Sequence, residues 1–379
     1  MGDLGTFIKG APLSKADISN EGNPFVLYGE LYTTYSEVTH SVKRKTDKTV
    51  EQQFYSKIGD VIMPTSGETP EDIATASCIM LPDVILAGDL LIYRTEQIDG
   101  RFVSYAIKNK VNKQISSVAQ GKSVVHVRAD ELAKICITFP ALDEQKKILN
   151  LLELLDTRIA TQQSLIETLK KYKRGVVKTL LDPKQNQRKG VIWTTDTIGK
   201  LGTFIKGAAL SKADISDFGT PFVLYGELYT TYKEVVRSIA RTTQASVDDV
   251  YFSKVGDVVI PTSGETPEEI STASCIMVPN VILAGDLNIY RSTIVDGRIM
   301  SYLLNHIVNA QIARVAQGKS VVHVQASEVG KISITYPDHN EQERIAQILE
   351  LIDNRIAVSE KALISMQMMK KAFLQQLFI

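Results

Sequence analysis

Glu144-Gln145-Lys146-Lys147-Ile148-Leu149-Asn150-Leu151-Leu152-Glu153-Leu154-Leu155-Asp156-Thr157-Arg158-Ile159 opens a stretch that runs to Leu180, and its spacing decides how the chain is organised. Alternate steps of four and three from Ile148 meet Leu152, Leu155, Ile159, Gln162, Ile166, Leu169, Lys173, Val176 and Leu180. This is the seam of a helix that lies along a partner helix. An echo from Glu341 to Leu377 gives Ile345, Leu349, Ile352, Ile356, Ser359, Leu363, Met366, Lys370, Phe373 and Leu377. Both seams turn polar at the same steps, Gln162/Ser359 and Lys173/Lys370. Polar seam residues cost stability and fix register, so the two helices are expected to pair with each other in one alignment. At 1.5 Å per residue each is about 55 Å long.

The echo is part of a larger repeat. Leu4-Gly5-Thr6-Phe7-Ile8-Lys9-Gly10-Ala11 returns as Leu201-Gly202-Thr203-Phe204-Ile205-Lys206-Gly207-Ala208. An offset of 197 then holds without a gap, with about 57% of positions identical, which makes the chain two domain-plus-helix modules and not a solenoid of short repeats. The expected division is a globular module over 1–141, a long helix over 142–181, a linker over 182–197, a second module over 198–338 and a second helix over 339–379. Pro24 to Tyr28, Asp60 to Pro64, Ile85-Leu86 and Ser123 to Val127 read as short strands. Glu71 to Ser77 and Val103 to Val118 read as helical, the latter with Tyr105, Val111, Ile115 and Val118 near one face. Pro140 and Pro337 are expected to stop the last strand of each module. The polar Asp182-to-Gly190 stretch reads as linker, with Trp193 at the edge of the second module. The fold class is therefore α+β, a tandem repeat of two modules separated by two long helices in an antiparallel coiled coil.

Composition excludes several classes. The 379 residues suffice for about two domains. Lys plus Arg equals Asp plus Glu at 43 each, so any surface for an anionic partner must be a local patch. Cys78, Cys136 and Cys275 have no metal-ligand spacing, and their odd number suggests reduced thiols in a cytoplasm. The N-terminal Met1-Gly2-Asp3-Leu4-Gly5-Thr6 formally fits a myristoylation signal, but its echo at Gly199 to Thr203 marks it as part of the fold. No apolar run reaches membrane-spanning length.

Antiparallel helices would carry the chain out to a second module and bring it back, giving a pseudo-two-fold arrangement. Duplex DNA has the same local dyad, and two-fold proteins read inverted half-sites. Here the chain resembles the specificity subunits of type I restriction–modification systems, which alternate recognition domain, long helix, recognition domain and long helix. Three doubled stretches carry the resemblance. They are Leu4 to Gly10 with Leu201 to Gly207, Gln120-Gly121-Lys122-Ser123 leading to Pro140 with Gln317 to Ser320 and Pro337, and Glu144-Gln145 through Asp156-x-x-Ile159 with Glu341-Gln342 through Asp353-x-x-Ile356. The resemblance covers nearly the whole chain. It implies a non-catalytic DNA-binding subunit whose partners are methylation subunits, using S-adenosylmethionine on adenine, and restriction subunits, using ATP and Mg. No cofactor would then belong to this chain. Family members usually carry two dissimilar recognition domains. These are near-copies, which favours a palindromic or nearly palindromic split site. An interaction scaffold and a stand-alone repressor are the alternative readings.

Candidate DNA contacts follow from residue type. The Ala119-to-Ser123 stretch resembles a P-loop tail, but a leading Gly is missing and a strand follows where a helix is required. A turn placing Gln120, Lys122 and Ser123, or Gln317, Lys319 and Ser320, on phosphate or a base edge fits better. Tyr28, Glu30, Tyr32, Thr33, Thr34 and Tyr35, repeated as Tyr225, Glu227, Tyr229, Thr230, Thr231 and Tyr232, suit a loop that hydrogen-bonds phosphate and bases, with Glu accepting from a cytosine amine. The same pattern also suits a core segment with Tyr28 and Tyr32 buried. Thr65, Ser66 and Glu68, with Thr262, Ser263 and Glu265, form a polar turn before a helix that Thr69 is expected to cap. Lys9 and Lys206 end a Gly-flanked strand and suit phosphate. His126 and His323 read as packed within a Val-rich strand. The copies differ most at Lys43 to Tyr55 against Ala240 to Phe252 and at Gln97 to Lys113 against Ile294 to Ala310, windows that either tune the half-sites apart or are loops remote from DNA. No catalytic or metal-binding constellation is present: Pro337-Asp338 with Glu343 reads as a helix cap with first-turn acids.

Overall fold

The computed structural model describes residues 1–121, 124–186, 188, 190–316, 318 and 322–378. The chain forms two compact units, one of residues 1–163 with 362–379, the other of 164–361. Each long helix, Leu142–Leu181 and His339–Leu377, contributes one stretch to each unit.

In the first unit a five-stranded sheet runs in the order Thr6–Lys9, Leu90–Arg94, Asp60–Pro64, Ser77–Ile79 and Val38–Thr39. Its pairs are antiparallel except the last. The central strand Asp60–Pro64 is buried at every position, as its unbroken apolar run requires of a strand covered on both faces. Its one charge, Asp60, is met by Arg94, whose Nε and Nη2 lie 3.0 Å from the two carboxylate oxygens. A three-stranded sheet places Asn23–Leu27 between Arg44–Thr46 and Ile85–Ala87. A two-stranded ladder joins Ser66–Gly67 to Val125–His126. The second unit repeats these sheets, with Asp257–Pro261 central and Arg291 on Asp257. It adds an antiparallel pair, Trp193–Thr197 with Ser333–Pro337.

The local reading needs correction at five places. The helix after Thr69 spans only Pro70–Ile73, and Ser77 already begins a strand. Thr69 caps it in both directions, accepting from the Asp72 amide while its own amide donates to the Asp72 carboxylate at 2.8 Å. The stretch read as one helix over 103–118 is two, Gly100–Asn109 and Asn112–Val118. The amides of Lys110 and Val111 both donate to the Ala106 carbonyl, which ends the ladder and turns Val111 into the core. The strand read over Ser123 to Val127 is Val125–His126, Ser123 lying outside the described residues. The linker read over 182–197 ends in the strand Trp193–Thr197, which finds an edge on Ser333–Pro337; the stretch before Pro140 has no such partner and is not a strand.

Gly297 starts the helix Gly297–His306 directly against a turn, and a Cβ there would lie 2.0 Å from the Gly256 carbonyl oxygen. Gly297→Ala is expected to lower stability by about 3 kcal/mol, the upper range for overpacking. Urea unfolding of the full chain measures this, and an unchanged midpoint would mean that the turn yields freely.

The helix stretches run antiparallel within each unit. In the second, Lys173 meets Asp353 and Lys170 meets Glu360. Val177, Leu181, Ile345 and Leu349 join the core of that unit, while Ile148, Leu152 and Phe378 join that of the first. Leu155 and Ile356 are buried, and Ile159 and Ile352 half-buried. The Glu-Gln pair at each helix start has a structural use. The Gln145 side chain is fully buried, accepts from the Asp99 amide at 2.9 Å and donates to the Pro140 carbonyl at 2.8 Å. Gln342 does the same with Asp296 and Pro337. Asp338 accepts from the Glu341 amide as a cap, and Glu343 pairs with Arg298.

Each seam lysine is pinned in an ionic cluster of its own unit. Lys173 Nζ lies 2.7 Å from Glu234 and 2.6 Å from Asp353, and sits over the Tyr302 ring, whose hydroxyl donates to Asp353. His306 meets the other Glu234 oxygen at 2.6 Å. In the first unit Lys370 lies 2.5 Å from Asp156 and over Tyr105, while Lys108 is 2.9 Å from Glu37. Burial disfavours the charge of Glu234, but the His306 hydrogen bond and the Lys173 charge outweigh it and hold the carboxyl at about 2.

Candidate nucleic-acid interface

The second unit carries an open cleft of about 980 Å³. Its walls come from five separate stretches: Leu210 to Ile215, Leu224 to Thr230, Arg241, Ser263 to Glu269, and Gly285-Asp286. The Tyr225-to-Tyr232 loop is shaped by its own acid. Glu227 opens the short helix Glu227–Thr230 and folds back so that its carboxylate accepts from the Leu224 amide at 3.0 Å. Arg241 Nε meets the other oxygen at 2.7 Å. Tyr225 and Tyr229 pack edge to face at 6.3 Å, and the Tyr229 hydroxyl donates to the Ser263 carbonyl, tying this loop to the polar turn. Burial pushes the Tyr229 hydroxyl above the usual phenol range, so it stays protonated and a donor. Gly285 turns at φ +80°, a conformation open to Gly, and so brings Asp286 to the Ser263 hydroxyl, which donates to it at 3.0 Å.

The first unit is built alike. Glu30 accepts from the Leu27 amide and pairs with Arg44 at 3.1 Å. Tyr32 donates to the Ser66 carbonyl at 2.7 Å, and Ser66 lies 3.4 Å from Asp89.

This geometry sorts the candidates. Tyr225, Tyr229, Thr230, Ser263 and Glu265 line the cleft; Glu265, Thr230 and Thr231 are exposed, as are Thr33, Thr34 and Glu68. Tyr28 is half-buried and Tyr32 38% exposed, so the loop is a surface loop with an apolar underside, not a core segment. Glu30 and Glu227 are corrected: at 2% and 5% exposure their carboxylates are occupied by a backbone amide and an arginine, and brace the loop. Ser66 and Ser263 are likewise buried. Thr65 and Thr262 are half-buried, their amides donating to the Asp89 and Asp286 carbonyls. Tyr35 and Tyr232 accept through their hydroxyls from the Lys43 and Ala240 amides and so anchor the divergent window. Lys9 and Lys206 are exposed at the end of an edge strand, outside the cleft lining.

Gln120 exchanges two backbone hydrogen bonds with His126, and Gly121 turns at φ +136°. The strand that follows leaves no helix N-terminus for a nucleotide phosphate. Lys122, Ser123, Gln317, Lys319 and Ser320 lie outside the described residues. His126 and His323 are also corrected: strand alternation buries Val125 and Val127 and turns His126 outward, and His323 likewise. The residues missed from sequence are Lys212 and Arg241, which flank the tyrosine loop, and Glu269 and Asp286, which come from later in the chain. The identity of Lys212, Arg241 and Asp286 with Lys15, Arg44 and Asp89 was the available signal.

Among the described residues no His, Cys, Asp and Glu group could hold a metal ion, and no helix is long and apolar enough to cross a membrane. The three thiols are free.

The fold is a doubled α+β module in which each unit carries a stretch of both long helices. The family model of the type I restriction modification DNA specificity domain matches residues 1–171 and 191–366, and the chain belongs to that family. It is similar to the type I restriction enzyme MjaVIII specificity subunit of Methanocaldococcus jannaschii, 22% identical over 409 residues covering 100% of this chain and 90% of that one. Among solved structures it is similar to the type I restriction-modification system S subunit from M. genitalium, with TM-score 0.64, 17% identity, and 100% and 94% of the two chains covered. A second, described in work on complex assembly and conformational transition of the type I R-M system, gives TM-score 0.57, 15% identity, and 99% and 97% coverage. These two likenesses show the fold.

Proposed function

We propose that each module reads one half of a split, near-palindromic DNA site and that the paired helices set the gap between the halves. The observation that carries this is the recurrence in both units of one braced tyrosine loop tied to a polar turn, each unit containing part of both long helices. The chain does no chemistry. Methylation subunits bring S-adenosylmethionine to adenine, and restriction subunits bring ATP and Mg, all in the cytoplasm. Zero net charge fits a subunit that depends on partners to clamp the duplex, since phosphate contacts dominate DNA affinity.

Fluorescence anisotropy with labelled duplexes tests this. Sequence-selective binding is expected for the chain with its methylation subunits, and only weak, salt-sensitive binding for the chain alone. Selective binding by the isolated chain would indicate a repressor. No selective binding in either state would favour a scaffold.

A further inference from the structure

Ser333-Ile334-Thr335-Tyr336-Pro337 in the second unit and Cys136-Ile137-Thr138-Phe139-Pro140 in the first are the same stretch of the repeat. The former is a strand because Trp193–Thr197 runs antiparallel along it. That cover leaves Tyr336 only 8% exposed and sets the Thr195 hydroxyl 2.8 Å from that of Thr335. In the first unit, among the described residues, no strand pairs with Cys136 to Pro140, and the main chain of Cys136 to Phe139 makes no backbone hydrogen bond. Cys136 and Thr138 face solvent, and Phe139, in the place of Tyr336, is 38% exposed.

The surroundings are otherwise alike. Tyr93 donates to the Met1 carbonyl at 3.0 Å as Tyr290 does to that of Ile198 at 2.9 Å, and Gln145 holds the Pro140 carbonyl as Gln342 holds that of Pro337. The first unit therefore presents the same ledge without its strand. Free amides and carbonyls beside an exposed aromatic are a template for strand addition.

One neighbour differs and bears on what fills the ledge. Asp196 of the covering strand pairs with Lys200 at 3.2 Å. Asp3 holds the place of Lys200 in the first unit and is exposed. The Trp193–Thr197 strand of a second copy would set Asp196 against Asp3, acid against acid. A basic side chain at that step would restore the pair.

We propose that Cys136 to Pro140 is a strand-accepting edge, filled by an extended segment of a different protein that runs antiparallel to it and carries a basic residue beside Asp3. The inference is independent of what either module reads.

The register supplies a test, because Thr197 lies opposite Ser333, the counterpart of Cys136. Cys136 is exposed, whereas Cys78 and Cys275 are buried, so a peptide thiol can be coupled to Cys136 selectively. Capped peptides of the Trp193–Thr197 sequence with Thr197→Cys are attached to the full chain by disulfide exchange, which holds them at high effective concentration. The glutathione-capped chain is the reference, and hydrogen exchange of the Ile137-to-Phe139 amides is the readout. The peptide that also carries Asp196→Lys is expected to slow exchange by about tenfold. The peptide that further carries Thr195→Pro, with a break in its ladder, is expected to leave exchange at the reference rate. The peptide retaining Asp196 is expected to protect about threefold less than its Lys counterpart, a gap that Asp3→Asn or high salt closes. No slowing by the Lys peptide would overturn the strand-accepting edge. Equal protection by the Asp and Lys peptides would overturn the basic occupant. Slow exchange in the reference chain that deepens with its concentration would place a second copy on the edge, and slow exchange at every concentration would mean that the chain closes the edge itself; either overturns the proposal.

Discussion

Lys173→Met is expected to destabilise the second unit by about 3–5 kcal/mol, the effect of leaving buried charges without their partner. Lys173 is 6% exposed and is the shared cation of Glu234 and Asp353. Methionine fills the space of the stem but leaves the Glu234 and Asp353 carboxylates without their shared cation, Glu234 keeping His306 and Asp353 keeping the Tyr302 hydroxyl. Neutralising the whole cluster, as Lys173→Met with Glu234→Gln and Asp353→Asn, should recover much of the loss, because desolvation of the ions disappears along with their attraction. Urea unfolding distinguishes the two. If the triple variant were as unstable as the single one, shape and not charge would hold the cluster.

The same cluster sets a pH dependence. The Glu234 carboxyl is depressed from 4.5 to about 2. A depressed carboxyl contributes stability above its unfolded value, and that contribution is lost as pH falls through the folded value. Stability tied to Glu234 should therefore be complete above pH 4.5 and decline towards pH 2, by about 3 kcal/mol in all. Lys173 shifts the opposite way: burial opposes its charge, but Glu234 and Asp353 outweigh burial and raise its pKa. Its contribution is present at neutral pH and is lost only in alkali. Glu234→Gln should flatten the acid limb of the stability curve; an acid limb unchanged in that variant would place the titrating group elsewhere.

A larger functional loss is expected from Leu155→Glu combined with Ile352→Glu. Leu155 is buried in the seam within the first unit and Ile352 packs against the core of the second. A carboxylate at either position has no partner cation designed for it, and unpaired burial is costly enough to separate the helices locally. If the paired helices set the gap, methylation at the split site should fall to background in the double variant, although duplexes carrying one half-site are still bound by the assembled complex. Unchanged site choice would remove the helices as the spacing element.

How much of this was legible beforehand depended on the range of the interactions. The long helices were readable because a seven-residue period is local, and the lysines stood out as breaks in that period. Of their anionic partners, Asp156 and Asp353 lie on the facing helix, but Glu234 was not readable, since it comes from a loop about 60 residues away. The cleft was half visible. Its tyrosine loop and polar turn carry dense hydroxyls, but Arg241 and Asp286 join them only through sheet pairing. Glu227 was misread because an acid among aromatics looks the same facing in or out; the Leu224 amide three residues before it decides the matter. His126 was misread because a run of valines hides the alternation that exposes every second residue.

The proposed role of this chain is to direct methylation to a split DNA site. The most direct measurement is a long-read methylome of cells holding the methylation subunits, with and without this chain. The account predicts that removing the chain erases one interrupted methyladenine motif with inverted, matching halves. A methylome that keeps every motif after the chain is removed would contradict it.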